Sequence, residues 1–245
     1  MPHDLVTIAA PGGGCPAQVF TPPGGGRAPA VIVFMDAGGI RPAASRMAER
    51  LASAGYAVLL PDLFYRYGPY GPFDPVAVFK GDVRAILGPL MATTGNAVAA
   101  ADSAAFLAYL DTRSDVAGAR VGAVGFCMGG GMAIAAAGTD PDRFAAVASF
   151  HGGNLATDAA DSPHRYAPRL KAELYIAAAD ADGSYPPEMA ERLQRAFDAE
   201  HLPYRAETYR GAAHGWMMPD FPVYDAAAAE RGWGEMLALF DRTLR

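Results

Sequence analysis

Residues 119–138 read ARVGAVGFCMGGGMAIAAAG. An apolar run of small residues enters a turn at Gly125, carries one cysteine, Cys127, at the apex, and leaves through Gly129, Gly130 and Gly131 into a second apolar run. The pattern predicts a strand, a very tight turn and a helix over Met128 to Gly138. Glycine two residues either side of the apex has a steric reason. In a turn this sharp the apex residue takes a strained backbone conformation, and side chains at the flanking positions would collide. Gly130 and Gly131 would also let the helix pack close to its strand. A cysteine by itself reads as a small buried hydrophobe. At the end of a strand and the start of a helix it reads differently, because the helix dipole and the unpaired N–H groups stabilise a thiolate there.

Working outward, the same alternation recurs. A continuous apolar strand at 28–40, APAVIVFMDAGGI, ends in a loop holding Asp36 and precedes a helix over 42–55 that starts at a proline and stops at Gly55. Another buried strand, YAVLLPDLF, covers 56–64. After the elbow come a strand at 144–152, a strand at 172–180, a helix at 186–200, a strand at 204–210 and a closing helix at 226–244. A further helix is expected at 97–113, just before the elbow strand. Two short strands, 4–10 and 17–22, open the chain between glycine- and proline-rich turns, with Cys15 in the first turn. Strands alternating with helices imply a parallel α/β sheet. Residues 64–92 break the rhythm with aromatics and prolines, and are expected to form a lid or pocket wall.

Composition narrows the possibilities. The 245 residues suit one α/β domain spanning 1–245, and 51% of them are hydrophobic against 19% charged, so a large core is available. A formal net charge of −6 and the lack of a basic cluster argue against nucleic acid as a partner. No secretory leader pattern and no run of membrane-spanning length is seen, so no membrane association and a cytoplasmic location are expected. The two cysteines, Cys15 and Cys127, show no metal-binding or disulfide pattern. A monomer that needs no cofactor and no metal is the expectation.

A strand running into a helix through Gly-x-nucleophile-x-Gly is the elbow of the α/β-hydrolase architecture: a mostly parallel sheet of about seven to eight strands with helices on both faces. Chemistry on that fold needs an acid and a histidine on later loops, in the chain order nucleophile, acid, histidine. The loop after 172–180 offers Asp180 and Asp182, and the loop after 204–210 offers His214. Of the other histidines, His3, His164 and His201 lie in terminal or polar stretches, whereas His151 ends a strand and is a candidate for the site wall. The oxyanion donors would be the N–H of Met128 and, from the loop after the 28–34 run, the N–H of Ala37.

The ordered set VIVFMDAGGI, GYAVLLPDLFYR, GFCMGG, DGSYPP and AHGW resembles the dienelactone hydrolase family over nearly the whole chain. The resemblance implies a Cys127 nucleophile with Asp182 and His214. It selects Asp182 because family members carry the acid four residues before a helix-starting proline, here Pro186. It further implies that Asp36, in the place of a family glutamate, activates the thiol. The reaction expected is hydrolysis of a small-molecule ester or lactone through a thioester. Family members that take dienelactone hold its carboxylate with arginines, one just after the catalytic histidine. This chain has HGWMMPDFP there, leaving Arg41, Arg66, Lys80 and Arg84 as the cations on nearby loops. Tyr65, Tyr70, Phe79, Trp216 and His151 are expected to touch substrate, together with neighbouring Tyr67 and Phe73, which favours an uncharged or aromatic substrate. A catalytically idle scaffold that binds a small molecule or protein is the alternative reading.

Overall fold

Strand β3 (Ala28–Phe34) is apolar along its length because it lies in the middle of a sheet covered on both faces. In the computed structural model, which describes residues 3–245, its neighbours are β4 (Ala57–Pro61) and β5 (Val116–Phe126). The remaining strands are β1 (His3–Ala10), β2 (Gly13–Phe20), β6 (Phe144–Phe150), β7 (Glu173–Ala179) and β8 (Tyr204–Tyr209). The order across the eight-stranded sheet is β1-β2-β4-β3-β5-β6-β7-β8. Only the β1–β2 and β2–β4 pairings are antiparallel, so β3, β5, β6, β7 and β8 all deliver their carboxyl ends to one edge. This is the α/β-hydrolase fold.

The helices divide between the faces. Helix α1 (Pro42–Ser53) buries Ala44, Met47, Ala48 and Leu51 against the sheet, and α7 (Ala226–Leu244) buries Trp233, Met236 and Phe240. Arg50 and Glu230 join these two helices across one face. On the other face, α5 (Met128–Thr139) is almost entirely buried beneath α4 (Asn96–Asp111) and a 3-10 turn over Pro163–Arg169, which α6 (Pro187–Ala199) also contacts. That explains why α5 has no polar side: it is covered all round.

One element differs from the sequence expectation. Cys15 is not in a turn. It lies in β2, paired with Ile8 across a hairpin whose connection is Pro11 and Gly12, and is fully buried. The run of glycines masks the strand, since these residues carry little β preference of their own. The 64–92 stretch holds two short helices, α2 (Pro75–Lys80) and α3 (Val83–Met91), each opened by an aspartate whose side chain accepts a backbone N–H: Asp74 from Val76 and Asp82 from Ala85. No helix among the described residues is long and apolar enough to cross a membrane.

Candidate active site

The elbow is built by its glycines. A Cβ on Gly125 would stand 1.9 Å from the Gly129 carbonyl oxygen, and one on Gly129 would stand 2.1 Å from the Phe34 carbonyl oxygen of β3. Helix α5 can therefore begin directly against the sheet only because both positions lack side chains. The result is a backbone at Cys127 with φ 54° and ψ −119°, a region where a non-glycine residue is strained. The strain turns the thiol out of the sheet edge at the first turn of α5. Met128, the first helical residue, has no acceptor within the helix for its N–H.

His214 reaches Cys127 from the loop after β8. Its Nε2 lies 3.1 Å from Cys127 Sγ, and its Nδ1 lies 2.7 Å from Asp182 Oδ2. Asp182, on the loop after β7, is fixed in turn by Ser184: Oδ1 accepts from the Ser184 N–H at 2.8 Å and from its hydroxyl at 2.7 Å. Burial opposes charge on His214, but the Asp182 hydrogen bond and the Cys127 sulfur outweigh it and raise the imidazole to about 10. Burial likewise opposes charge on Asp182, yet the bonds from His214 and Ser184 bring its carboxyl down to about 2. Asp180, the other acid the sequence offers, accepts the Gly211 N–H instead and so ties the loop after β7 to the loop after β8.

Ser184 was not singled out in the sequence. A signal was present, because an aspartate followed two residues later by serine commonly closes a local side-chain turn.

Asp36 sits elsewhere than expected. It is fully buried, accepts the Gly38 N–H at 2.6 Å, and takes Arg41 Nη1 on both carboxylate oxygens at 3.0 and 2.9 Å. Burial pushes its carboxyl up against the pull of Arg41. Arg41 also grips Asp220 with Nε at 2.7 Å and Nη2 at 3.0 Å. No hydrogen bond joins Asp36 to Cys127 among the described residues; the sulfur's side-chain partner is His214. The acid therefore ties the loop after β3 to the loop that follows His214.

Most of the expected substrate contacts also move. The Tyr65 hydroxyl takes the Gly12 N–H and donates to Asp102, which Arg66 also holds. The Tyr70 hydroxyl donates to Asp62 and accepts from the Ile40 N–H. Trp216 is fully buried and stacks on Tyr209. These three support the loops and do not line the cavity at Cys127.

His151 is fully buried behind the site, its ring 5.4 Å from that of His214, and its Nδ1 accepts the Cys127 N–H at 3.2 Å. Burial, aided by His214, lowers it to about 3, so it is neutral and acts on the elbow rather than on substrate.

Phe79 does line the cavity. This space, of about 230 Å³, is bounded by Cys127, His214, Ala37 and Gly38 on one side, by residues of the 73–91 segment on the other, and by Phe221. Of that segment the sequence points to Phe79 and Phe73; it gives no sign of Phe221. A larger space of about 810 Å³ lies along the outer side of the Asp182 loop, between Tyr185, Glu191 and Arg210. It contains neither Cys127 nor His214, so the chemistry belongs to the smaller one. No cluster of three or more His, Cys, Asp or Glu side chains placed to hold a metal occurs among the described residues.

Sheet order, elbow and loop placement define an α/β-hydrolase, a hydrolase built on a cradle of parallel strands. Its relatives narrow the class. The chain belongs to the dienelactone hydrolase family, whose profile matches residues 15–244. A Synechocystis sp. protein provisionally named a carboxymethylenebutenolidase is 28% identical over 225 residues, spanning 90% of this chain and 88% of that one. The crystal structure of a provisionally named dienelactone hydrolase from Klebsiella pneumoniae subsp. pneumoniae superposes with a TM-score of 0.87 at 24% identity, covering 98% of each chain. A dienelactone hydrolase-like promiscuous phosphotriesterase from metagenomic libraries superposes with a TM-score of 0.78 at 25% identity, covering 100% of this chain and 99% of that one.

Proposed function

We propose that the protein hydrolyses a carboxylic ester or lactone through a thioester on Cys127. The observation that carries the reading is the unbroken line from Cys127 Sγ to His214 Nε2 at 3.1 Å and from His214 Nδ1 to Asp182 at 2.7 Å. An imidazole raised to about 10 holds its proton at neutral pH and faces the sulfur with it, the arrangement in which cysteine attacks as thiolate. His214, rather than Asp36, is the group that activates the thiol.

The thiolate adds to the ester carbonyl, and the N–H groups of Met128 and Ala37 receive the oxyanion. The carbonyl re-forms, the carbon–oxygen bond to the alcohol breaks, and His214 gives its proton to the departing alkoxide. Now neutral, His214 takes a proton from water as that water attacks the thioester. Thiolate leaves, the acid is released, and the imidazolium–thiolate pair is restored. Asp182 keeps the imidazole in the tautomer and orientation both halves require.

The test is steady-state hydrolysis of p-nitrophenyl acetate by the wild type, Cys127→Ala and His214→Gln. Turnover in the wild type, lost by at least about a thousandfold in both variants, is expected. Equal turnover in Cys127→Ala would sink the proposal.

A further inference from the structure

The cavity in front of Cys127 is walled by carbon. Apart from Cys127 and His214, the side chains facing it are apolar: Phe73, Val78, Phe79, Leu87, Met91 and Phe221 are the large ones. The cations of the neighbourhood are engaged or turned outward. Arg41 is held by Asp36 and Asp220, and Arg66 by Asp102. Lys80 and Arg84 are exposed on α2 and α3 and are not part of the lining. The walls continue to the surface as bare hydrocarbon: Phe79 is 47% exposed, Met91 42% and Val83 39%, among the few large hydrophobic side chains of the described residues left in water. Apolar surface concentrated around a cavity mouth marks a place that a ligand dehydrates.

The geometry points to an uncharged ester or lactone whose apolar part fills this cavity, with α2 and α3 as the specificity wall. This deepens the reading of Cys127 as nucleophile and rests on it. At about 30 Å³ for each water-sized group, 230 Å³ holds about seven or eight of them, a medium-length chain or one substituted ring. A carboxylate on that part of the substrate would lie against the α2–α3 wall, away from His214, where the lining side chains offer it no cation and no donor, and would lose its hydration without replacement. Each methylene buried there should raise kcat/KM by up to about fourfold.

The experiment compares kcat/KM for p-nitrophenyl acetate, p-nitrophenyl hexanoate and mono-p-nitrophenyl adipate, the last ending in a carboxylate. Hexanoate should exceed acetate by about a hundredfold, and adipate should fall about a hundredfold below hexanoate. Two variants place a cation on the wall: Leu87→Arg inside it, and Phe79→Arg at the rim, where the side chain is 47% exposed. Either should raise the adipate-to-hexanoate ratio at least tenfold. Adipate turned over as well as hexanoate by the wild type, acetate preferred to both, or an unmoved ratio in Phe79→Arg would overturn the inference while leaving Cys127 as nucleophile intact. Failure of all three esters to be cleaved or to acylate the folded wild type would remove the nucleophile reading and this one with it.

Discussion

Replacing Asp182 by asparagine isolates what the carboxylate contributes to His214. In the wild type the imidazole stands at about 10 against an ordinary 6.5, with the Asp182 hydrogen bond the largest of the contributions that raise it. At pH 7.5 a group at about 10 is almost wholly protonated, whereas one at 6.5 is about one-tenth protonated. If most of the rise is lost, the population carrying the proton that the leaving alkoxide needs falls about tenfold. An asparagine amide that donates to Nδ1 would also fix the imidazole proton on Nε2, which then cannot take the proton of the Cys127 thiol, so the loss exceeds that factor. The assay is kcat/KM for ethyl acetate, which reports acylation and whose alkoxide must be protonated to leave, followed as ethanol release from pH 5 to pH 10.5. In the wild type the basic limb should lie near pH 10; in Asp182→Asn the rate should drop at least tenfold at pH 7.5 and the limb should move toward about 7. Ser184→Ala, which removes one bond to Asp182 and leaves the carboxylate, should shift the limb much less. A basic limb that stays at the same pH in Asp182→Asn would refute the argument.

Three further outcomes follow from the same geometry. In Gly129→Ala the new methyl would stand 2.1 Å from the Phe34 carbonyl oxygen, so α5 must move off the sheet; a loss of at least about 3 kcal/mol is expected in chemical denaturation. Arg41→Met leaves buried Asp36 and partly buried Asp220 without their cation, at a cost of about 3–5 kcal/mol, and should lower the melting temperature by about 10 °C. The coupled pair of His214 and Asp182 gives stability a pH signature. His214 is raised, so its contribution is complete below about 6.5 and is lost as pH rises through about 10. Asp182 is lowered, so its contribution is present above about 3.8 and is lost as pH falls through about 2. Melting temperature should therefore decline between pH 6.5 and 10 in the wild type, and that slope should flatten in His214→Gln.

What could be read from the residues alone is what backbone sterics and strand burial impose locally. The elbow was legible because Gly125 and Gly129 face backbone atoms that no side chain could clear. The buried strands were legible because β3 to β7 are apolar almost throughout, as coverage on two faces requires. Long-range pairing was not legible. Asp36 was read as an activating acid, but its surroundings are set by Arg41 and by Asp220, which is 184 residues away in the sequence and says nothing local about the loop after β3. Tyr65, Tyr70 and Trp216 look like pocket residues in the sequence because they are aromatic and near the elbow's edge of the sheet. Their polar atoms or faces are in fact used to brace loops. The pocket wall escaped notice residue by residue because α2 and α3 are too short to show a clear apolar stripe, and because the side chains of Val78 and Leu87 reach the cavity only once both helices fold over Cys127.

The most direct test of the account is the mass of the protein quenched in acid during the first turnovers with p-nitrophenyl acetate, followed by peptide mapping. A transient acetyl group is expected on the peptide carrying Cys127, formed in step with nitrophenolate release, absent in Cys127→Ala and longer-lived in any His214→Gln protein that acylates. Ester cleavage by the wild type with no acetyl group on Cys127 at any time point, or an acetyl group found on another residue, would contradict it.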